Sequence, residues 1–240
     1  MVNNRIISGI LYRLRDVRIS EVYRAIDRYC RGRVLDVGGR DFYMRVRNRR
    51  LEISSWTTCD ISTDYKLTMD DGIYSFVVGD GCSLEYDNET FDTVINMQVL
   101  EHVFEPIRMF TEIARVLKKG GHGVFLIPQT STLHYAPNHY YNFTRFWVEK
   151  AAEMSEMEVI ELIPLGGAWS TMASHLFSLV FQAMNAGGMR VREYRRNAFF
   201  FVLFPFMLLY VVVNIPILLL FSLGDLQEGA NNHLLVARKR

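Results

Sequence analysis

The stretch Arg33-Val-Leu-Asp-Val-Gly-Gly39 decides the fold. A short apolar run broken only by Asp36 ends in two glycines, the pattern of a buried strand entering a tight turn. Working outward, residues 54–60, 74–78, 91–96, 123–127 and 159–163 read as further strands, and residues 233–237 as a last one. Between strands lie helical patterns. In residues 105–118, Ile107, Phe110, Ile113, Ala114 and Leu117 share one face, with Glu105-Pro106 at the start and Gly120-Gly121 at the end. Residues 146–154 form a second such helix. Residues 5–30 read as one or two amphipathic helices, with Ile6, Ile10, Leu11 and Leu14, then Val22, Ala25 and Ile26, at helical spacing. Strands alternating with helices imply an α/β protein whose doubly wound, mostly parallel sheet of seven strands is covered on both faces.

The charge of +1 is unevenly spread. Residues 1–50 hold 13 Arg against five acids, whereas residues 51–128 hold 13 acids against five bases. The basic N-terminal part suits anionic lipid or a phosphorylated substrate, or is simply a solvated helical surface. Cys30, Cys59 and Cys82 contain no Cys-x-x-Cys pair, which argues against a disulfide framework or zinc knuckle and for a reducing compartment. The apolar stretch of residues 6–14 is short and broken by Arg13, so no signal peptide is expected and the N-terminus is placed in the cytoplasm.

Half of the residues are hydrophobic, and the excess gathers before the last strand. From Ala198 to Leu223 there is no charged residue, a length of roughly 39 Å as a helix against a hydrocarbon core of about 30 Å. Pro205 and Pro216 would kink it. In the preceding segment Thr171, Ser174, His175, Ser178, Gln182 and Asn185 form a narrow polar stripe, with Met172, Leu176, Leu179, Val180 and Ala183 on another face. A two-span hairpin would carry Arg190, Arg192, Arg195 and Arg196 to the far side, against the positive-inside tendency. A monotopic or re-entrant pair at the cytoplasmic face is therefore expected, with a buried helical cap or a dimer interface as alternatives. The chain divides into a helical cap (1–30), a core (31–164), an apolar membrane-associating insertion (165–224) and a returning strand (225–240).

A glycine turn after the first strand is either an ordinary strand-to-helix connection or a nucleotide site, where free N–H groups meet an anion. Two more acids close successive strands: Asp60 after the second, and Asp80, followed by Gly81, after the third. A carboxylate at the second position can take both hydroxyls of a ribose, and one at the third the amine of adenine. Each is equally suited to capping a helix. With Val34-Leu-Asp-Val-Gly-Gly39, Cys59-Asp60-Ile61 and Gly79-Asp80-Gly81 come Phe91-Asp-Thr-Val-Ile-Asn-Met-Gln-Val-Leu-Glu-His-Val103, Arg115-Val-Leu-Lys-Lys-Gly-Gly121 and Val124-Phe-Leu-Ile-Pro128. In that order these blocks resemble the class I S-adenosylmethionine-dependent methyltransferases, type 11 branch, over residues 29–164 and 232–239. The resemblance implies a Rossmann-like fold and S-adenosylmethionine as cofactor. It also implies that Asp36, Gly38 and Gly39 hold the methionine part and ribose, Asp60 the ribose diol and Asp80-Gly81 the adenine, with Asn96, Met97 and Gln98 beside the cofactor. One departure stands out: Arg40-Asp41-Phe42 occupies the place of the family's further glycine.

Methyl transfer to oxygen or nitrogen needs an aligned acceptor and removal of its proton by a His or carboxylate. His102, after the fourth strand, and His134 and His139, in the loop after the fifth, are the candidates, each equally readable as a loop-ordering residue. Quinone O-methyltransferases of the superfamily carry a Glu-x-x-Glu-His metal cluster here; Gln98 replaces its first Glu, leaving Glu101 and His102, and no metal is expected. Seating on membrane lipid points to a lipidic or lipid-linked acceptor such as a glycan precursor, and no nucleic-acid partner is expected. The rivals are a nicotinamide-dependent reductase, because a glycine turn with a strand-two acid serves that cofactor as well, and a non-catalytic membrane scaffold.

Overall fold

A computed structural model describes residues 19–69, 71–135, 137–184 and 197–240. The expected helix over residues 5–18, and Arg190 to Arg196, lie outside the described residues. Seven strands, β1 (Arg31–Val37), β2 (Glu52–Asp60), β3 (Tyr74–Val78), β4 (Phe91–Met97), β5 (Leu117–Pro128), β6 (Met157–Leu165) and β7 (Asn232–Lys239), form one sheet in the order β3-β2-β1-β4-β5-β7-β6. The sheet is mostly parallel, as expected, and mixed, because β7 runs antiparallel to both β5 and β6.

Alternation of side chains across each strand makes two cores. Leu35, Phe125, Ile127, Leu235 and Ala237 face one side, where α3 (Pro106–Val116) and α4 (Arg145–Met154) pack. Their neighbours Val34, Val124, Leu126, Leu234 and Val236 face the other, covered by α1 (Ser20–Tyr29) and the five-residue α2 (Phe42–Val46). Helix α1 is held by Val22, Ala25, Ile26 and Tyr29, all buried on one stripe.

Helix α3 stops earlier than the sequence pattern implies. It ends at Val116, and Leu117 is already extended and paired with Phe91. The Lys239 ammonium donates to the carbonyls of Arg115 (3.1 Å) and Leu117 (2.8 Å), and Lys118 pairs with Asp92 at 2.7 Å. A lysine from a neighbouring strand thus satisfies carbonyls at the helix end, the task expected of the glycines. Gly120, at φ 76°, bends the strand instead.

The insertion leaves and returns at one place, for the last residue of β6, Leu165, pairs with the first of β7, Asn232. Helix α5 (Ala168–Met184) opens on the carboxylate of Asp225, which accepts from the N–H groups of Trp169 (2.8 Å) and Ser170 (3.1 Å). The first part of its polar stripe faces inward, where Thr171 donates to the Gly229 carbonyl and His175 bonds the Thr130 carbonyl, while the side chain of Gln182 and the whole of Asn185 lie outside the described residues. Met172, Phe177 and Leu179 face outward. Helix α6 (Ala198–Phe221), capped by Asn197, packs on α5 and is apolar on every side. From Ala198 to Gly224 this segment is long and apolar enough to cross a membrane, and Val211 is the one buried residue in its helix.

Phe110 and Phe125 stack face to face at 4.5 Å, both fully buried, and couple α3 to the centre of the sheet. Phe110→Ala is expected to lower the unfolding free energy by about 3–5 kcal/mol, read from urea denaturation followed by tryptophan fluorescence.

Candidate active site

The chain turns sharply after β1. Gly38 has φ 73° and donates its N–H to the Cys59 carbonyl at 2.8 Å. A β-carbon on Gly39 would lie 1.8 Å from an oxygen of Asp36, so only glycine fits. Arg40 then takes φ 46°, a left-handed conformation costly for a side chain of this kind. The turn therefore survives without the further glycine. The Arg40 guanidinium is held between the rings of Tyr65 (4.5 Å) and Tyr135 (4.3 Å), a cation–π sandwich that joins three separate segments.

A cavity of about 770 Å³ opens along the C-terminal ends of the parallel strands, within the usual range for a small-molecule site. Gly38, Gly39, Asp60, Asp80, Gly81, Met97, Gln98, His102 and His134 all line it. Three expected residues do not. Asp36 is fully buried beneath Gly39, and Asn96 is fully buried behind the wall, donating to the Val37 carbonyl at 3.2 Å and tying β4 to β1. His139 stands outside the lining: its Nδ1 accepts the His134 N–H at 3.2 Å while Nε2 contacts Ser131 Oγ at 3.2 Å. An imidazole whose lone pair is so engaged is a positioning group, not a base. Neither acid caps a helix: Asp60 accepts from Ser62 N–H (3.3 Å) and Asp80 from Cys82 N–H (2.8 Å) in tight turns, and the short helix after β2 is capped by Ser62. Each carboxylate keeps acceptor capacity for a ligand.

At the far end of the cavity the loop after β5 is laid over the short 3-10 turn Leu100–His102. Tyr140 N–H donates to the Glu101 carbonyl (2.8 Å) and the Tyr141 hydroxyl to the Phe104 carbonyl (3.0 Å). His102 Nδ1 meets the Asn138 carbonyl at 2.6 Å, and His134 Nδ1 meets the Thr132 carbonyl at 2.8 Å. A carbonyl can only accept, so both Nδ1 atoms carry the proton and both Nε2 atoms keep a lone pair. The two rings pack edge to face at 4.8 Å. Beneath them Glu101 is fully buried and neither carboxylate oxygen has a hydrogen-bond partner. Burial pushes its carboxyl up to about 7, against its own backbone N–H and the charge of Arg40. Burial pulls His102 down to about 4, the Asn138 carbonyl opposing and His134 and His139 adding to the fall. His102 is therefore neutral near pH 7.

Sequence reasoning treated Arg40 only as a defect in the glycine turn and Glu101 only as a remnant. Tyr65 and Tyr135 carried no signal, since their role exists only once three segments meet.

Residues 35–125 match the family model described as a methyltransferase domain. The matched segment is 91 of the 240 residues, and over it the chain is similar to that domain. Solved structures of similar fold include a chain of the Haloferax volcanii complex between the Trm112 methyltransferase activator and a methyltransferase (17% identity, 96% of this chain and 93% of that one, TM-score 0.59). A second is the 4+2 cyclase SpnF (18% identity, 95% and 80%, TM-score 0.58). A third is Haemonchus contortus phosphoethanolamine N-methyltransferase 2 in complex with S-adenosyl-L-methionine (17% identity, 93% and 52%, TM-score 0.55). At these identities the likeness is one of fold. No curated protein sequence matches the chain.

Asp36 is fully buried at the end of β1, a costly place for a carboxylate. Burial drives its carboxyl well above the ordinary carboxylate range; the indole of Trp56 pulls the other way, although no hydrogen bond of good geometry joins them, and Asp60 and Asp41 push it further up. A raised folded-state pKa removes stability as pH rises above the unfolded-state value. Asp36→Asn is expected to gain about 1–3 kcal/mol at pH 7. The gain should fade as pH falls through the ordinary carboxylate range, where Asp36 is protonated in both states. Thermal melts from pH 3 to 8 check this; a gain independent of pH would mean that the Asp36 carboxyl titrates alike in the folded and unfolded chain.

Proposed function

We propose that the protein is an S-adenosylmethionine-dependent methyltransferase working at the cytoplasmic face of a membrane, where it O-methylates a glycan, a lipid-linked sugar or another lipidic acceptor. The observation that carries the reading is the single cavity. It runs from the glycine turn and Asp60 to the free Nε2 atoms of His102 and His134, and it is also lined by Ser170 and Ser174 from the base of the apolar helices.

The residues present fit the cofactor. Gly38 and Gly39 offer backbone with no side chain in the way, and Asp60, buried at the cavity wall, has acceptor capacity left for a pair of hydroxyls. Asp80 and Gly81 stand at the next strand end for the base, with the exposed Ile61 as an apolar flank. S-Adenosylmethionine, when bound, supplies an activated methyl group on sulfur. The protein's part is alignment and exclusion of water, which supplies on the order of 7–11 kcal/mol. Tyr65, Arg40 and Tyr135 close over one side of the cavity. An acceptor hydroxyl has to lose or weaken its proton, and His102, His134 and Glu101 are the groups at that place.

The membrane reading rests on α6, which presents Phe201, Val202, Phe206, Leu209 and Val212 at exposures of 60% or more while its one interior amide, Asn214, folds back onto the Tyr210 carbonyl. As 24 residues it spans about 36 Å. Because β6 and β7 meet at Leu165 and Asn232, both ends of the insertion stay beside the cavity, and a lipid-linked acceptor would reach it without leaving the surface.

Asp60→Ala is expected to weaken S-adenosylmethionine binding about ten- to hundredfold, with NADH not binding either protein; calorimetry on detergent-solubilised protein reads both. Equal binding by the mutant, or binding of NADH instead, would overturn the cofactor assignment. For the membrane, the triple change Phe206→Glu, Leu209→Glu and Val213→Glu, all at exposed positions, should move the protein from the membrane to the soluble fraction with cofactor binding kept. A protein still fully membrane-bound would shift the anchor elsewhere.

A further inference from the structure

We propose that Glu101, His102 and His134 form a binding site for one divalent transition-metal cation, with zinc the best fit. The proposal deepens the methyltransferase reading and rests on it for the metal's role, not for its binding. Among the described residues, one ligand atom from each of the three lies within 4.8 Å of the others. His102 Nε2 is 3.8 Å from Glu101 Oε1.

Three features beyond proximity support a metal. First, each imidazole is oriented as a ligand. Both donate Nδ1–H to a backbone carbonyl, Asn138 and Thr132 respectively, and leave Nε2 bare. That outer hydrogen bond is what fixes the tautomer and ring plane of a metal-bound histidine. Second, Glu101 is a fully buried carboxylate with both oxygens unpartnered. A buried anion whose oxygens lack a hydrogen-bond partner of good geometry is costly, and a cation between it and the imidazoles lowers the cost. Third, His102 and His134 line the cavity, so the set is open on the acceptor side, where a fourth ligand can enter. Two histidines and one carboxylate with an open position is a common catalytic set for zinc and for other first-row divalent ions.

Ligands at zinc distances stand roughly 3.3 Å apart, so groups that are up to 4.8 Å apart must close by as much as about 1.5 Å. The loop bearing His134 would have to make that movement against the contact of Tyr135 with Arg40 and the bonds through Asn138, Tyr140 and Tyr141 to the turn below. His139 stays out of the set, because its Nδ1 holds the His134 N–H. It orients His134 instead. The open position would take the acceptor oxygen and polarise its O–H bond, the Lewis-acid role of such a cation.

The test uses full-length detergent-solubilised protein, stripped with chelator and titrated with Co²⁺ and Zn²⁺. The expected result is one cation per chain, a visible Co²⁺ absorption of a four- or five-coordinate nitrogen/oxygen site, its displacement by Zn²⁺, and a rise in melting temperature with zinc. Glu101→Gln and His134→Ala should each weaken binding at least tenfold and abolish the melting shift, with folding checked by circular dichroism. No stoichiometric binding by wild type, or binding unchanged in both variants, would overturn the proposal. S-Adenosylmethionine binding is measured on the same stripped protein. If it persists while metal binding fails, only the metal site falls; metal binding without cofactor binding would sink the functional reading and leave the site standing.

Discussion

Everything at the ligand-binding edge depends on one close approach, that of Gly39 over the buried carboxylate of Asp36. There is no room between them for a β-carbon. The turn is consequently held flat on the end of β1, the cavity gains its depth, and the next residue leaves in a left-handed conformation. That direction sends Arg40 across the cavity towards Tyr65 and Tyr135. The further glycine of the resembled family is absent, and the same backbone path is kept at the expense of some strain.

The site is also where polar groups go unsatisfied. Asp36, Asn96 and Glu101 each keep at least one buried oxygen without a hydrogen bond, whereas Thr93 and Asp92 on the same sheet are fully engaged with neighbouring backbone and lysine. Buried orphans are rare in proteins and cost stability. Asp36, Asn96 and Glu101 stand next to the cavity, while Trp56, Thr58 and Tyr86 carry such groups elsewhere in the core. The fold is compensated by continuous apolar packing on both faces, from Leu35 and Phe125 on one and Val34 and Val124 on the other.

The strands were legible in the sequence because buried parallel strands are near-continuous apolar runs, and the first glycine turn marked which end bears the site. The end of α3 was not, since Lys239, more than a hundred residues away, does what the nearby glycines were expected to do. Residue type located the candidate acids and histidines but not their depth: Asp36 and Asn96 occur in the right motif and still lie behind the wall. Which imidazoles keep a lone pair depends on carbonyls at Asn138 and Thr132, and no spacing rule reveals that. The polar stripe of α5 was visible as a stripe, yet its direction, towards the protein's own loops, is a tertiary fact.

The antiparallel strand β7 sits between β5 and β6 but follows both in the chain, and the apolar helices come before it. During synthesis, β6 therefore waits without its sheet neighbour until β7 has left the ribosome. The most apolar segment of the molecule emerges in that interval, ahead of the strand that completes the domain. Pairings over long separations form slowly and leave apolar surface uncovered meanwhile. The order of elements thus gives α6 the first opportunity to meet a lipid surface or a chaperone, and makes the closing of the sheet the last event of folding.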